Sequence, residues 1–187
     1  MRYAPLFVLV LLATGVASCD STKPANPLTE PETVALLREI FLLMEDAGGD
    51  SSTVDCSVGG QATVTELAYD RQNGDTARFN GLWTIIPTDC EANVVSDTLI
   101  LNGKPNVRYT VEAWAAFDAD SEVVRGAARA VFGGAVTWRR QNGDTDTCSV
   151  DLTFESTEFD GDQGFKGDFR GRMCGLDLAI DDTELLW

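Results

Sequence analysis

The segments Val107–Asp118, VRYTVEAWAAFD, and Val124–Phe132, VRGAARAVF, decide the fold between them. In the first, Val107, Tyr109, Val111, Ala113, Ala115 and Phe117 alternate with Arg108, Thr110, Glu112, Trp114, Ala116 and Asp118. Alternation of this kind sends successive side chains to opposite faces of a strand. In the second, Val124, Gly126, Ala128, Ala130 and Phe132 share a face, with Arg125 and Arg129 on the other. Cross-strand partners also share a face. Pairing Phe117 with Val124 therefore sets Ala115 opposite Gly126, Ala113 opposite Ala128, Val111 opposite Ala130 and Tyr109 opposite Phe132. The shared face is bulky at its ends and nearly bare at Ala113, Ala115, Gly126, Ala128 and Ala130. Small side chains on a sheet invite close approach by something else. Two occupants fit: an amphipathic helix, or an apolar ligand in a cavity lined by those five residues.

The same alternation extends outward. Cys148, Val150, Leu152 and Phe154 alternate with Ser149, Asp151, Thr153 and Glu155, and turn residues separate such runs at short intervals. From Thr53 onward the chain reads as about eight to ten strands, an antiparallel meander forming a sandwich or barrel. The hexapeptide RQNGDT occurs twice, at Arg71–Thr76 and Arg140–Thr145. Asn-Gly between alternating runs is a hairpin signal. In the second copy a two-residue loop would set Val136 opposite Ser149, mixing faces. A three-residue loop, Gln141-Asn142-Gly143, sets Val136 opposite Cys148, Gly134 opposite Val150 and Arg140 opposite Asp144. The same loop in the first copy sets Leu67 opposite Phe79, Tyr69 opposite Ala77 and Arg71 opposite Asp75. Arg and Asp would then close each turn as an exposed ion pair, worth about 0–1 kcal/mol. The cysteines do not follow the repeat, so a long duplication is not supported.

A helix precedes the strands. Thr29-Glu30-Pro31-Glu32 fits a capping box with proline tolerated in the first turn. Val34, Leu37, Phe41 and Met44 recur at helical spacing, and Leu36, Ile40 and Leu43 widen the stripe. Glu32, Glu39 and Asp46 are expected on the opposite, solvated face, and Gly48-Gly49 stops the helix. The expected helix is 30–47, in one globular domain spanning 29–187.

Residues 1–18 read as a signal segment, with Arg2 ahead of an apolar run from Leu6 to Ala17 that is too short to span a bilayer. The run ends in Val16-Ala17-Ser18-Cys19, which resembles the lipobox of bacterial lipoproteins. The resemblance implies cleavage before Cys19 and lipidation of that cysteine, with residues 19–28 as a flexible tether. It places the domain on the cell envelope, in the periplasm or on the outer surface, held to a membrane by the lipid. The four remaining cysteines, Cys56, Cys90, Cys148 and Cys174, suit two disulfides in an exported chain. Cys56–Cys90 and Cys148–Cys174 are the preferred pairing of three, because each closes a local loop. Each would contribute about 3–4 kcal/mol in the chain-entropy account. With no C-x-x-C spacing and no histidine, a zinc site is the weaker reading.

The formal net charge is −16, which repels nucleic acid and argues against it as a partner. The absence of histidine excludes Ser-His-Asp and Cys-His catalysis. No glycine loop opens a helix in the manner of a phosphate site. Asp160, Asp162 and Asp168, with Gly161 and Gly164 among them, are the candidate calcium ligands, the one cofactor the sequence suggests. The spacing departs from the EF-hand and lacks its bidentate glutamate. Asp118, Asp120 and Glu122 read as turn carboxylates. Asn80-Gly81-Leu82-Trp83 resembles the G-x-W of lipocalins, a family of ligand-carrying barrels. In that family the motif sits on the first strand, whereas a helix and strands precede it here. The functional expectation is a non-catalytic binding or structural module of the envelope, with a protein or small-molecule partner of unknown identity and no catalytic residue assigned. The alternatives are a carrier of a small apolar ligand and an acidic hydrolase using paired carboxylates.

Overall fold

The computed structural model describes residues 27–47, 50–95, 97–103, 106–119, 123–160 and 164–181. Among them are α1 (Glu30–Glu45) and eleven strands: β1 (Ser51–Asp55), β2 (Gly59–Asn73), β3 (Thr76–Val94), β4 (Asp97–Asn102), β5 (Val107–Phe117), β6 (Val123–Arg140), β7 (Thr145–Ser156), β8 (Glu158–Asp160), β9 (Gly164–Lys166), β10 (Asp168–Met173) and β11 (Leu176–Asp181). The fold is mainly β, as the alternation requires. Nine strands form one antiparallel sheet in the order β1-β2-β3-β4-β6-β7-β10-β11, with β5 paired to β3 and β6. β4 and β5 are consecutive pieces of one interrupted strand. β3 pairs with β5 through its first half and with β4 through its second, and β6 does the same on the other side. The sheet is therefore an up-and-down meander, and β8–β9 is a separate ribbon between β7 and β10. The helix contacts β2 and β3 near one end of the strand order and β11 at the other. The sheet must curl around it, and one core runs from Val54 through Phe132 to Ile180.

The register of β5 on β6 follows the sequence pattern, with Tyr109 opposite Phe132, Val111 opposite Ala130, Ala113 opposite Ala128 and Ala115 opposite Gly126. Only the end differs. A one-residue irregularity after Ala116 pairs Phe117 with Val123 and turns Val124 outward, where it is exposed. The two hexapeptides close different turns. The second forms the three-residue loop, with Val136 opposite Cys148. The Arg140 amide donates to the Asp144 carbonyl (2.8 Å), and Gly143 has φ +96°. The first forms a two-residue loop, Gly74-Asp75, with Asn73 opposite Thr76, Arg71 opposite Arg78 and Leu67 opposite Leu82. Positive φ at the first loop residue, +63° at Gly74, fits a type II′ turn.

The expected pairs Leu67–Phe79, Tyr69–Ala77 and Arg71–Asp75 are thus corrected, and the reason is physical. A buried face fixes register, because an odd slip turns every side chain over. Trp138 and Val150 supply such a face at the second hairpin, whereas β2 is exposed from Leu67 to Asn73. Leu67 and Tyr69 consequently point to solvent, at 63% and 60% exposure. Ala68, Asp70 and Gln72 take the inner face instead.

Both disulfides form as preferred, Cys56–Cys90 and Cys148–Cys174. The second ties β7 to the β10–β11 turn, whose residues Cys174 and Gly175 both have positive φ, as a type I′ turn requires. Two disulfides fit an oxidising, extracytoplasmic environment. No helix among the described residues is long and apolar enough to cross a membrane.

The helix packs with Leu36, Leu37, Ile40 and Leu43 fully or almost fully buried. Burying each contributes about 1.5–3 kcal/mol. Phe41 and Val34 fall at the edge of this face. The rotation brings Glu32 and Glu39 inside, at 7% and 6% exposure, which corrects their expected solvated placement. Each has a partner, as a buried carboxylate requires. Glu39 accepts from the Ser57 amide at 3.0 Å. Glu32 Oε2 accepts from the Thr29 amide and hydroxyl, both at 2.8 Å, completing its arm of the capping box. Its other oxygen lies 2.8 Å from Arg140 Nη1, which also holds Asp97 at 2.9 Å. Arg140 does not close its hairpin through its side chain. It continues the inward parity of Val136 and Trp138, and its guanidinium lies 5.6 Å from the Trp138 ring.

The Arg140 guanidinium holds the Glu32 carboxyl down to about 2, against an ordinary 4.5, and lowers Asp97 as well. A depressed folded-state pKa stabilises fully above the unfolded value and is lost as pH falls toward the folded one. Unfolding free energy should therefore fall between pH 4.5 and pH 2, and Glu32→Gln should flatten that slope in urea titrations. Arg140→Met should cost about 3–5 kcal/mol at neutral pH, because two carboxylates lose their buried partner. A cost below 1 kcal/mol, on the order of an exposed pair, would contradict this placement.

Candidate functional site

The inner face of the sheet can be read row by row from the register. One row runs Trp83, Tyr109, Phe132 and Leu152; the next runs Gly81, Val111, Ala130, Phe154 and Phe169; a third runs Asp70, Phe79, Ala113, Ala128 and Ser156. The helix covers the first row. The Phe41 ring lies 5.3 Å from both Tyr109 and Phe132 and 5.5 Å from Phe169. It therefore packs at the bulky end of the strip, and Leu37 is buried in the core beside it. Among the described residues, neither the helix nor any other element fills the space over the middle rows. A chamber of about 330 Å³ remains there. Its floor is Tyr109, Val111, Ala113, Ala128 and Ala130. Its walls are Phe41, Phe79, Phe154, Phe165 and Phe169.

Of the five residues expected to line a cavity, Ala113, Ala128 and Ala130 do so. Gly126 and Ala115 lie one row further out. Gly126 is buried beneath the β8–β9 ribbon, where Phe165 stacks edge-on against Phe159 at 5.2 Å. A Cβ at Gly126 would stand 2.9 Å from the Phe165 ring and 2.7 Å from the Trp114 carbonyl. The glycine thus makes the seat for the ring that closes one end of the chamber. Ser156 anchors the ribbon, its hydroxyl contacting the carbonyls of Glu158 and Lys166. The lipocalin-like Gly81-Leu82-Trp83 lies within β3, where a Cβ on Gly81 would collide with the Trp83 indole. Trp83 packs on Tyr109 at 5.6 Å and on Phe79 at 6.1 Å.

Tyr109 is the one lining residue with a polar side-chain atom. Burial pushes its hydroxyl up to about 12, so it stays protonated at neutral pH. The chamber offers aromatic and aliphatic surface, one hydroxyl and no charge. Apolar cavities near 150 Å³ already admit benzene or xenon, and small-molecule sites begin near 300 Å³.

The remaining sequence candidates do not converge. Asp160 ends β8 opposite Gly164, and Asp162 lies outside the described residues. Asp168 Oδ2 is 2.6 Å from Arg170 Nη2. Among the described residues no three acidic or cysteine side chains gather in a way that could hold a metal ion. Asp120 and Glu122 lie outside the described residues, as does Cys19. The outer face carries a polar groove of about 500 Å³ in which Arg129 stands between Glu112 and Glu155. Arg129 Nε and Glu155 Oε1 are 3.4 Å apart, and both side chains are largely exposed. A solvated guanidinium between two carboxylates is not the arrangement of an acid and a base across a scissile bond.

Sequence reasoning missed the five phenylalanine walls. Phe165 had a signal: a lone aromatic in the acidic, glycine-rich stretch Asp160–Asp168. No known family, curated protein or solved structure matches the chain. Gly126→Ala should displace Phe165 and cost about 1–3 kcal/mol as overpacking against a fixed carbonyl. Unchanged stability and unchanged Phe165 ring shifts by NMR would contradict the seat assigned to it.

Proposed function

We propose that this protein is a lipid-anchored, non-catalytic module of the cell envelope that carries a small apolar ligand in the chamber between Phe41 and Phe165. The observation that carries the reading is the chamber itself. Its small-residue floor, Ala113, Ala128 and Ala130, leaves volume that the helix covers at one end only. Aromatic walls on a disulfide-tied sheet keep that volume open at low entropic cost, since the rings and strands lose little further freedom on binding. The uncharged lining suits a neutral body rather than an ionised one, because an unpaired charge there would be costly. The envelope location rests on the lipobox-like Val16-Ala17-Ser18-Cys19 and on the two disulfides. Radiolabelled palmitate should enter the protein in a bacterial host and fail to enter Cys19→Ser. A neutral probe such as n-octanol should bind the purified domain with one site by NMR titration. Ala128→Phe, which fills the floor, should weaken binding by tenfold or more, about 1.4 kcal/mol, while leaving the fold intact by circular dichroism. Equal binding by the filled variant would overturn the reading.

A further inference from the structure

The chamber does not end at Phe79 and Phe165. A second cavity of about 370 Å³ shares Phe79, Ala113 and Phe165 with it and extends toward the β2–β3 turn. The register sets what projects into this vestibule. Asp70 stands opposite Phe79, and Gln72 stands opposite Ala77, so both share the inner face with Ala113 and Ala115. Arg71 and Arg78 also line this cavity, and by register their side chains start from the other face of β2 and β3. The Asp70 carboxylate is exposed and has no ion pair or hydrogen bond among the described residues. An aromatic chamber thus opens onto an unpaired carboxylate, in a chain of net charge −16. Aromatic faces attract cations, and a net negative field concentrates them.

We infer that the ligand is an organic amine or related monocation with a short apolar body, its body in the chamber and its positive head beside Asp70. This rests on the reading of the chamber as a ligand site and adds the class of ligand. Asp70 lies one step of two residues along the strands from the Val111–Ala130 row and two strands across from β5, which together make about 12 Å from Val111. A head on an extended chain of about eight carbons spans most of it. A fatty-acid carboxylate in the same place would meet Asp70 as a like charge.

Three isosteric probes separate the possibilities: n-octylamine, n-octanol and n-octanoate, titrated into the purified domain at low salt. The expected order is amine, then alcohol, then carboxylate. Exposed pairing at Asp70 should favour the amine over the alcohol by about fivefold, less at high salt. Asp70→Asn should abolish the amine's advantage over the alcohol. Asp146→Asn makes the same change in net charge opposite Trp138, ten residues along β6 from Ala128, and should preserve the advantage. A preference that survives Asp70→Asn, falls equally in Asp146→Asn, or runs toward octanoate overturns the inference while octanol binding leaves the chamber reading standing. Failure of all three probes to bind overturns both.

Discussion

The contact between Arg140 and Glu32 governs how the rest of the molecule is arranged. Glu32 is at once the helix cap and the acceptor of a guanidinium from the far end of β6. A buried arginine between two carboxylates is costly to desolvate and geometrically demanding. It fixes where the first turn of α1 sits on the sheet. A helix rises 1.5 Å per residue, so fixing Glu32 also fixes Phe41, two and a half turns on, against Tyr109 and Phe132. Glu39, held by the Ser57 amide, sets the rotation in between. The helix is therefore placed by two polar contacts, and its leucines fill what those contacts leave within reach.

The chamber follows from that placement. A helix held at Arg140 covers the bulky rows and stops short of Ala113 and Ala128. The β8–β9 ribbon approaches from the other side and is admitted only because residue 126 is glycine. Between Phe41 and Phe165 the floor includes three alanines, and the Phe169 ring meets those of Phe41 and Phe154 at 5.5 and 5.2 Å. Such rings lock one another in preferred edge and tilted geometries. Closing the space would require moving either the clamped helix or the sheet, whose ends are stapled by disulfides. Empty volume in a packed interior forfeits dispersion contacts. A ligand would restore them, and the cost of keeping the space open is the physical basis of the proposed function.

Much of this was legible in the sequence, for reasons that differ from residue to residue. The β5–β6 register could be read because both strands have one apolar face, so parity admits one solution. The second RQNGDT turn was legible for the same reason. The first was not, because β2 beyond Glu66 buries nothing that could report on register. Its true pairing exchanges Leu67 and Tyr69 for Asp70 and Gln72 on the inner face, and that exchange creates the polar vestibule. Glu32 and Glu39 were misread because helical periodicity alone cannot distinguish a solvated carboxylate from one met by a distant arginine or a backbone amide. Arg140 lies more than a hundred residues from Glu32, and no local pattern announces their meeting. The small-residue strip was visible as a bare face, but its walls come from four other elements and from a short ribbon inside an acidic loop.

The proposed function depends most on the chamber being open and apolar in the folded protein. Crystals pressurised with xenon test this directly, since xenon enters dry apolar volume and needs no hydrogen bond. Anomalous density between Ala113, Ala128 and Phe154 is the predicted result, with no shift of Phe41 or Phe165. A chamber without xenon, its space taken by a rotated Phe165 or a displaced helix, would contradict it.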